Sequence, residues 1–392
     1  MDKYDCKKAG IHLNIDSKYH NLLDIEGFSR MMKDPSYCYK FYWLESIVNL
    51  ISEDKREATY DEIINEMIAN AWYSVVEFHV HLSGIWGDGS IKDNLEKAVL
   101  KLKDLSDLPN NASKIEIKNK IHEFNKELHS AKMELTKNVP TRALSGFANK
   151  YSERIDLNSS AGRMMEYYNR LNAKDIPLPY IFGNDNGLRR TIRFNESWIQ
   201  MIQDNMVSIL GWIQFEKVRW LQNNNPEVPG LVYKLAPLDE KMRKLSHARK
   251  LWEGVFDHTT IIDVFKGDPI KREAYDIDHF IPWSFVMNDE LWNLMPMDSS
   301  LNSAKSNKLP KWDQFFSSFA DNQYLMYELV HAKPGIRKLY EACYRDNLHS
   351  IWASQELYRS GNTKQEFYNI LERNMRPVYD SARRQGYEVW MI

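Results

Sequence analysis

Five polar residues at fixed intervals constrain this chain more than its bulk does. Asp278 and His279 are adjacent, Asn293 follows the histidine by fourteen residues, Asn302 comes nine later, and Lys305 three after that. Residues 275–281 are rich in β-formers and read as a strand, with Pro282 at its end. Ile261, Val264 and Phe265 fit a short strand ahead of it, and residues 266–269 a turn. Residues 283–292 read as a loop, and Leu294-Met295-Pro296 can pair with the first strand. Asp298 or Ser299 can cap a helix in which Asn302 and Lys305 share a face. Leu309-Pro310 closes that helix. Strict alternation would send Asp278 and His279 to opposite faces, so both reach one site only where the strand ends and the chain turns.

The string Asp278-His279-Phe280-Ile281-Pro282, the following Ser284-Phe285, the two Asn spacings, and Lys305 followed by Ser306 and Pro310 resemble the HNH endonucleases. The likeness covers about residues 274–311 and is strongest to the HNH domains of CRISPR effector nucleases. It implies a ββα-metal unit that hydrolyses phosphodiester bonds of nucleic acid, leaving 5′-phosphate and 3′-hydroxyl ends. One Mg²⁺ (or Mn²⁺) per active site is implied. Such an ion takes hard oxygen ligands and keeps several waters, which suits Asp278 and Asn302 as the metal ligands. The family's third position is often His, and Asn occurs there in active members. His279 is near neutral at cellular pH and can take a proton from water. Lys305 can bring positive charge to the phosphate. Asn293 completes the catalytic set by pinning the loop or orienting the His279 ring. Asp276 reads either as support for the site or as an exposed strand residue. Trp283 and Leu291-Trp292-Asn293-Leu294 are also similar to HNH subunits of bacterial anti-phage defence systems, which implies protein partners in a defence complex.

The rest of the chain reads as helical. Apolar residues recur at helix spacing through 37–90, and Gly84, Gly87 and Gly89 then break the pattern. Residues 92–136 form a charged helical hairpin, with Leu95, Val99, Leu102 and Leu105 on one arm and Ile117, Ile121, Phe124 and Leu128 on the other. It can be a partner-docking arm or a helix pair packed on the body. Loops are expected around Pro140 and from Pro177 to Gly187. A helix over about 197–221, apolar on several sides, and another over 239–252 precede the nuclease-like unit, and three or four helices follow it. The expected fold is mainly α with a small α+β module. The expected regions are 1–180, a locally basic 181–252, the ββα unit at 253–312, and 313–392. A unit of sixty residues buries too little surface to stand alone, so it should pack on the flanking helices.

Charge and composition narrow the function. The 392 residues carry a net charge of −2 with 43% hydrophobic content, a globular composition rather than a disordered or nucleic-acid-coating one. Phosphate binding therefore needs local patches. Residues 188–252 hold eleven Lys and Arg against six Asp and Glu, an excess of five, with Arg189, Arg190 and Arg193 the densest cluster. That stretch can track a phosphate backbone or be a solvated helix face. Cys6, Cys38 and Cys343 are too far apart for a zinc knuckle, and three free thiols suit a reduced, cytoplasmic chain. The N-terminus lacks an apolar leader, and no long apolar run occurs, so neither secretion nor a membrane is expected. His258 is a minor candidate for the site. His79 and His81, two apart on an expected helix, point away from each other.

Two functions remain open. One is a metal-dependent endonuclease, with DNA the favoured substrate, nicking or cutting both strands. A double-strand break by a single active unit would need a homo-oligomer or sequential nicks. The other is a nucleic-acid- or protein-binding scaffold subunit whose HNH unit is inactive without its partner complex.

Overall fold

The computed structural model describes residues 13–33, 35–235 and 245–392. The first part of the expected 239–252 helix, with Lys241, Arg243 and Lys244, lies outside the described residues. The chain divides into two compact units, Met1–Pro226 and Glu227–Ile392. The expected basic stretch 181–252 is split between them. The division follows Asn223-Asn224-Asn225-Pro226, where the helix Met206–Asn224 ends.

The N-terminal unit is built on the helices Tyr39–Ser52 and Tyr60–Trp72. Their shared core includes Tyr42, Trp43, Ile63 and Met67, all fully buried. The second helix starts cleanly because Thr59 and Glu62 form a reciprocal capping box. A small antiparallel sheet was missed by the helical reading of this region. It comprises β1 (Glu57–Thr59), β2 (Tyr180–Phe182) and β3 (Thr191–Phe194) in the order β1-β3-β2. Strands of three or four residues are too short to show a period. Here they are held by pairing to distant segments, as in Ala58 against Ile192.

The expected hairpin is present as Asn94–Leu105, Lys114–Glu123 and Asn125–Thr136. It packs on its own unit and does not project. Leu95, Val99, Leu102, Ile121 and Leu128 are fully buried. The Trp72 indole donates to the Asn110 carbonyl at 3.0 Å, and the buried Glu66 pairs with Lys114 and Lys118. The expected 197–221 helix is two helices, Glu196–Asp204 and Met206–Asn224, broken at Asn205. Its second half is not buried on several sides, since Val207 is largely exposed. Pro140 lies in a short helix, Val139–Ala143, rather than a loop, because proline is tolerated in a first turn.

In the C-terminal unit a two-stranded antiparallel sheet carries the motif. β4 is Tyr275–His279 and β5 is Leu294–Asp298, with Asp278 opposite Met295 and His279 opposite Leu294. The helix Ser299–Lys305 follows directly, so the strand–strand–helix order is as expected. The predicted strand at 261–265 does not form. Only an isolated bridge between Ile262 and Pro269 marks that pairing, and Val255 and Phe256 belong to the helix Ser246–Phe256.

Helices surround the sheet. Phe280 meets Phe316, Phe319 and Trp312 of the helix Trp312–Ala332 in an aromatic cluster. Gly254 lets the helix Ser246–Phe256 approach the helix Pro334–Ala342, since a Cβ there would stand 2.7 Å from Leu339 and 2.8 Å from Ile336. The nuclease-like module therefore shares its core with the C-terminal helices, as its small size requires. Among the described residues no helix is long and apolar enough to cross a membrane.

Candidate active site

Strand β4 presents two faces with different chemistry. Tyr275, Ile277 and His279 point to the buried side, while Asp276 and Asp278 share the partly exposed one. The helix Ser299–Lys305 returns against that second face. Its start is set by Asp298, whose carboxylate accepts from the amides of Ser300 and Leu301. Hydrogen bonds from Ser300 and Lys266 hold the Asp298 carboxyl at about 2, so the cap is charged at neutral pH.

The helix brings Asn302 and Lys305 to the strand. Asn302 donates its amide nitrogen to Asp276 at 3.3 Å, which leaves its oxygen as the available donor atom toward a cation. Asp276 also lies 3.8 Å from Arg249, whose guanidinium covers the Tyr275 ring and donates to the Tyr275 carbonyl. Asp276 thus links the Asn302 helix to Arg249. Arg249 brings one cation of the basic stretch to Asp276.

Lys305 departs from its expected place. Its ammonium is buried, donating to Asp278 Oδ2 at 2.8 Å and to the His279 carbonyl at 2.8 Å. It clamps the Asp-His pair from beneath and does not face outward to a phosphate. Removing one member of a buried pair costs about 3–5 kcal/mol, less where the survivor reaches water. Asp278 retains 15% side-chain exposure. Lys305→Ala is therefore expected to cost about 2–3 kcal/mol, read as a fall in Tm of roughly 2–4 °C per kcal/mol. An unchanged melting curve would show that this pair contributes no net stability.

His279 also differs from expectation. It ends β4, but the chain does not turn its ring toward Asp278; the side chain is 1% exposed on the opposite face. Nε2 lies 3.2 Å from the Asn288 carbonyl and 3.1 Å from Asp289 Oδ1. Both are acceptors, so Nε2 carries a proton. The partners are delivered by a tight turn. The helix Trp283–Val286 inside the expected loop ends at Met287 in the left-handed conformation, φ 56°. Gly230 makes room for it, since a Cβ there would stand 2.8 Å from the Met287 Cβ.

Asn293 is fully buried and acts on backbone. Its side-chain oxygen accepts from the Ile281 amide and its nitrogen donates to the Ile281 carbonyl, both at 2.8 Å. Its own carbonyl accepts from Phe280. One asparagine thus continues the β4–β5 ladder past the strand ends. It is a positioning residue with no polar atom directed at a substrate.

Three contributors were missed in the sequence. Asp289 places a carboxylate oxygen 3.1 Å from His279 Nε2. Asp263, 2% exposed, accepts from Phe265, Lys266 and the Asp298 amide, tying the preceding loop to the end of β5. Gln323, fully buried, donates to the carbonyls of Leu291 and Leu294. Asp263 had a local signal, as an Asx turn two and three residues ahead of its acceptor contacts. The other two have none.

The remaining candidates lie elsewhere. His258 is exposed and bonded to the Gly254 carbonyl of its own helix. His81 pairs with Glu96 at 2.7 Å. The arginine cluster is in the N-terminal unit and is split in role. Arg190 is committed to the Gly183 carbonyl and Asn186, whereas Arg189 and Arg193 are exposed. Lys217 and Lys234 are buried, bonded to Glu45 and to the Phe285 carbonyl.

Among the described residues no group of three His, Cys, Asp or Glu side chains could hold a metal ion. Two carboxylates and an amide oxygen on one partly exposed face do fit a hard divalent ion that keeps most of its waters. A model of the HNH endonuclease family matches residues 263–311. No curated protein and no solved structure matches the chain. The matched span begins at Asp263 and contains β4, β5 and the Asn302 helix, and over that span the chain carries an HNH endonuclease domain.

Proposed function

We propose that this protein is a divalent-metal-dependent endonuclease that cleaves DNA at the β4–helix face. The observation that supports it most is the meeting of Asp276, Asp278 and Asn302 on one partly exposed surface. Asp278 and Asn302 would hold Mg²⁺ or Mn²⁺, with Asp276 keeping the Asn302 amide turned so that its oxygen faces the ion. When bound, the ion neutralises charge on the phosphate and on the leaving oxygen. Lys305 fixes the Asp278 carboxylate and the backbone at His279. Arg249, at the edge of the same face, grips a phosphate oxygen. His279 is the general base of this reading; its ring is buried on the opposite face of β4, so it takes the proton of the attacking water only once substrate binding brings the ring to the metal face.

Asp289 is in this reading a positioning residue. Asp289→Asn should lower cleavage about 10–100-fold, the range for partners that orient a site ligand, while the Asn288 carbonyl keeps the tautomer. Full activity in that variant would remove Asp289 from the mechanism.

A second reading is favoured by the burial of His279. With its ring 1% exposed, the HNH unit is closed to water at its base, as a subunit awaiting its partner complex would be. A plasmid nicking assay on the purified chain, with Mg²⁺, Mn²⁺ or chelator, separates the two. Metal-dependent nicking supports the free endonuclease; its absence supports the dependent subunit. A role in anti-phage defence rests on resemblance alone, and phage challenge of cells with and without the gene tests it.

A further inference from the structure

The N-terminal unit holds a cavity of about 910 Å³ whose charge is out of keeping with the rest of the chain. Seven lysines and arginines line it against two glutamates, an excess of five in a protein of net charge −2. Part of that charge is already balanced. Lys137 pairs with Glu134 at 2.6 Å, and Lys150 is held between Asp24 and Glu26. Lys33, Lys92 and Arg142 are engaged differently. Lys33 is exposed, Lys92 stands over the Trp86 ring at 4.9 Å, and Arg142 donates only weakly, to the Ser159 carbonyl at 3.4 Å. Arg30 pairs with Glu26 at 3.4 Å, and its buried Nε makes no hydrogen bond among the described residues.

An aromatic platform stands in the same wall. Tyr37 and Tyr39 stack with ring centres 5.2 Å apart and planes inclined by 15°. The Tyr39 hydroxyl accepts from the Asn94 amide at 2.8 Å, which fixes the lower ring. Tyr37 above it is 38% exposed. A stacked aromatic pair beside cations that, among the described residues, lack carboxylate partners suits a ligand with both a planar ring and phosphate groups. The volume falls within the roughly 300–1,000 Å³ usual for small-molecule sites. A wall this polar and charged is unlike the apolar centre of a protein–protein interface.

We propose that this cavity binds a nucleotide, its base stacked on Tyr37 and its phosphates held by Lys33, Lys92 and Arg142. The cavity is lined by residues of the N-terminal unit, and the nuclease residues all belong to the C-terminal unit. The chain would then have two nucleic-acid chemistries: cutting at one unit and reading a nucleotide at the other.

Equilibrium dialysis of the full chain in EDTA tests this without cleavage, with ATP, inorganic triphosphate and a single-stranded dT octamer as probes. Saturable ATP binding is expected, weakened about tenfold or more by Lys33→Ala with Arg142→Ala. Tyr37→Leu should weaken ATP about tenfold, the scale of one base stack, and leave triphosphate unchanged. Lys33→Gln serves as a second variant should the double alanine change fail to fold. ATP binding that is absent at millimolar concentration, or indifferent to these substitutions, would overturn the proposal. Binding of the octamer without ATP would also overturn it and make the cavity part of a strand-binding groove. Because binding is read without metal, failure here leaves the nuclease reading standing.

Discussion

His279→Ala is expected to lower cleavage by about 10²–10⁴-fold, the usual cost of losing a general base. The structure adds a second effect, because the ring is buried and donates to the Asn288–Asp289 turn. Its removal leaves the buried Asn288 carbonyl without that donor, at a cost of about 1–3 kcal/mol. Activity must therefore be measured well below the variant's own Tm. Asp289→Asn provides the comparison, since it disturbs the same turn but leaves the imidazole in place. If His279 is the base, His279→Ala falls far below Asp289→Asn at equal folded fraction. Equal residual activity in the two would mean that His279 serves only to hold the turn, and wild-type turnover in His279→Ala would end the assignment.

What could be read from the sequence follows from where the constraint is local. Asp298 was recognisable as a helix cap because a side-chain oxygen at that position bonds amides two and three residues on. Asn302 and Lys305 were placed on one helix face by their spacing alone. The burial of Lys305 was not recognisable, since three-residue spacing gives a shared face but not which atoms that face meets. Asp289 and Gln323 act across ten and about thirty residues of chain, and no period or turn rule links them to their partners. The expected strand at 261–265 failed for a related reason. Asp263 turns its carboxylate onto the following amides, and that local bond competes with a sheet ladder. Counting charge over 188–252 cannot separate buried cations from exposed ones: Lys217 and Lys234 are buried ties and Arg190 is bonded to the Gly183 carbonyl. The basic cavity of the N-terminal unit draws its cations from Arg30 to Lys150, a spread that no local charge count would join.

Asp278→Ala should raise the Mg²⁺ concentration needed for cleavage by at least about tenfold, since even residues that only orient a metal ligand change affinity by about 10–100-fold. Chelator should silence the wild type, and cleavage persisting in excess EDTA would point to metal-free chemistry. The single variant is ambiguous by itself, because it also strands Lys305, whose remaining acceptor is the His279 carbonyl. A double change resolves this. Lys305→Met removes the buried charge while keeping most of the volume, and replacing both members of a buried pair by apolar groups is commonly neutral or stabilising. Asp278→Ala with Lys305→Met should therefore recover most of the Tm lost in Asp278→Ala. It should recover none of the cleavage, because no carboxylate remains at that position to hold an ion. Recovery of both would make Asp278 a structural counter-charge to Lys305 and move the metal ligands elsewhere on the face. Recovery of stability alone separates the carboxylate's two roles: pairing with Lys305 through Oδ2, and offering its other oxygen to the metal.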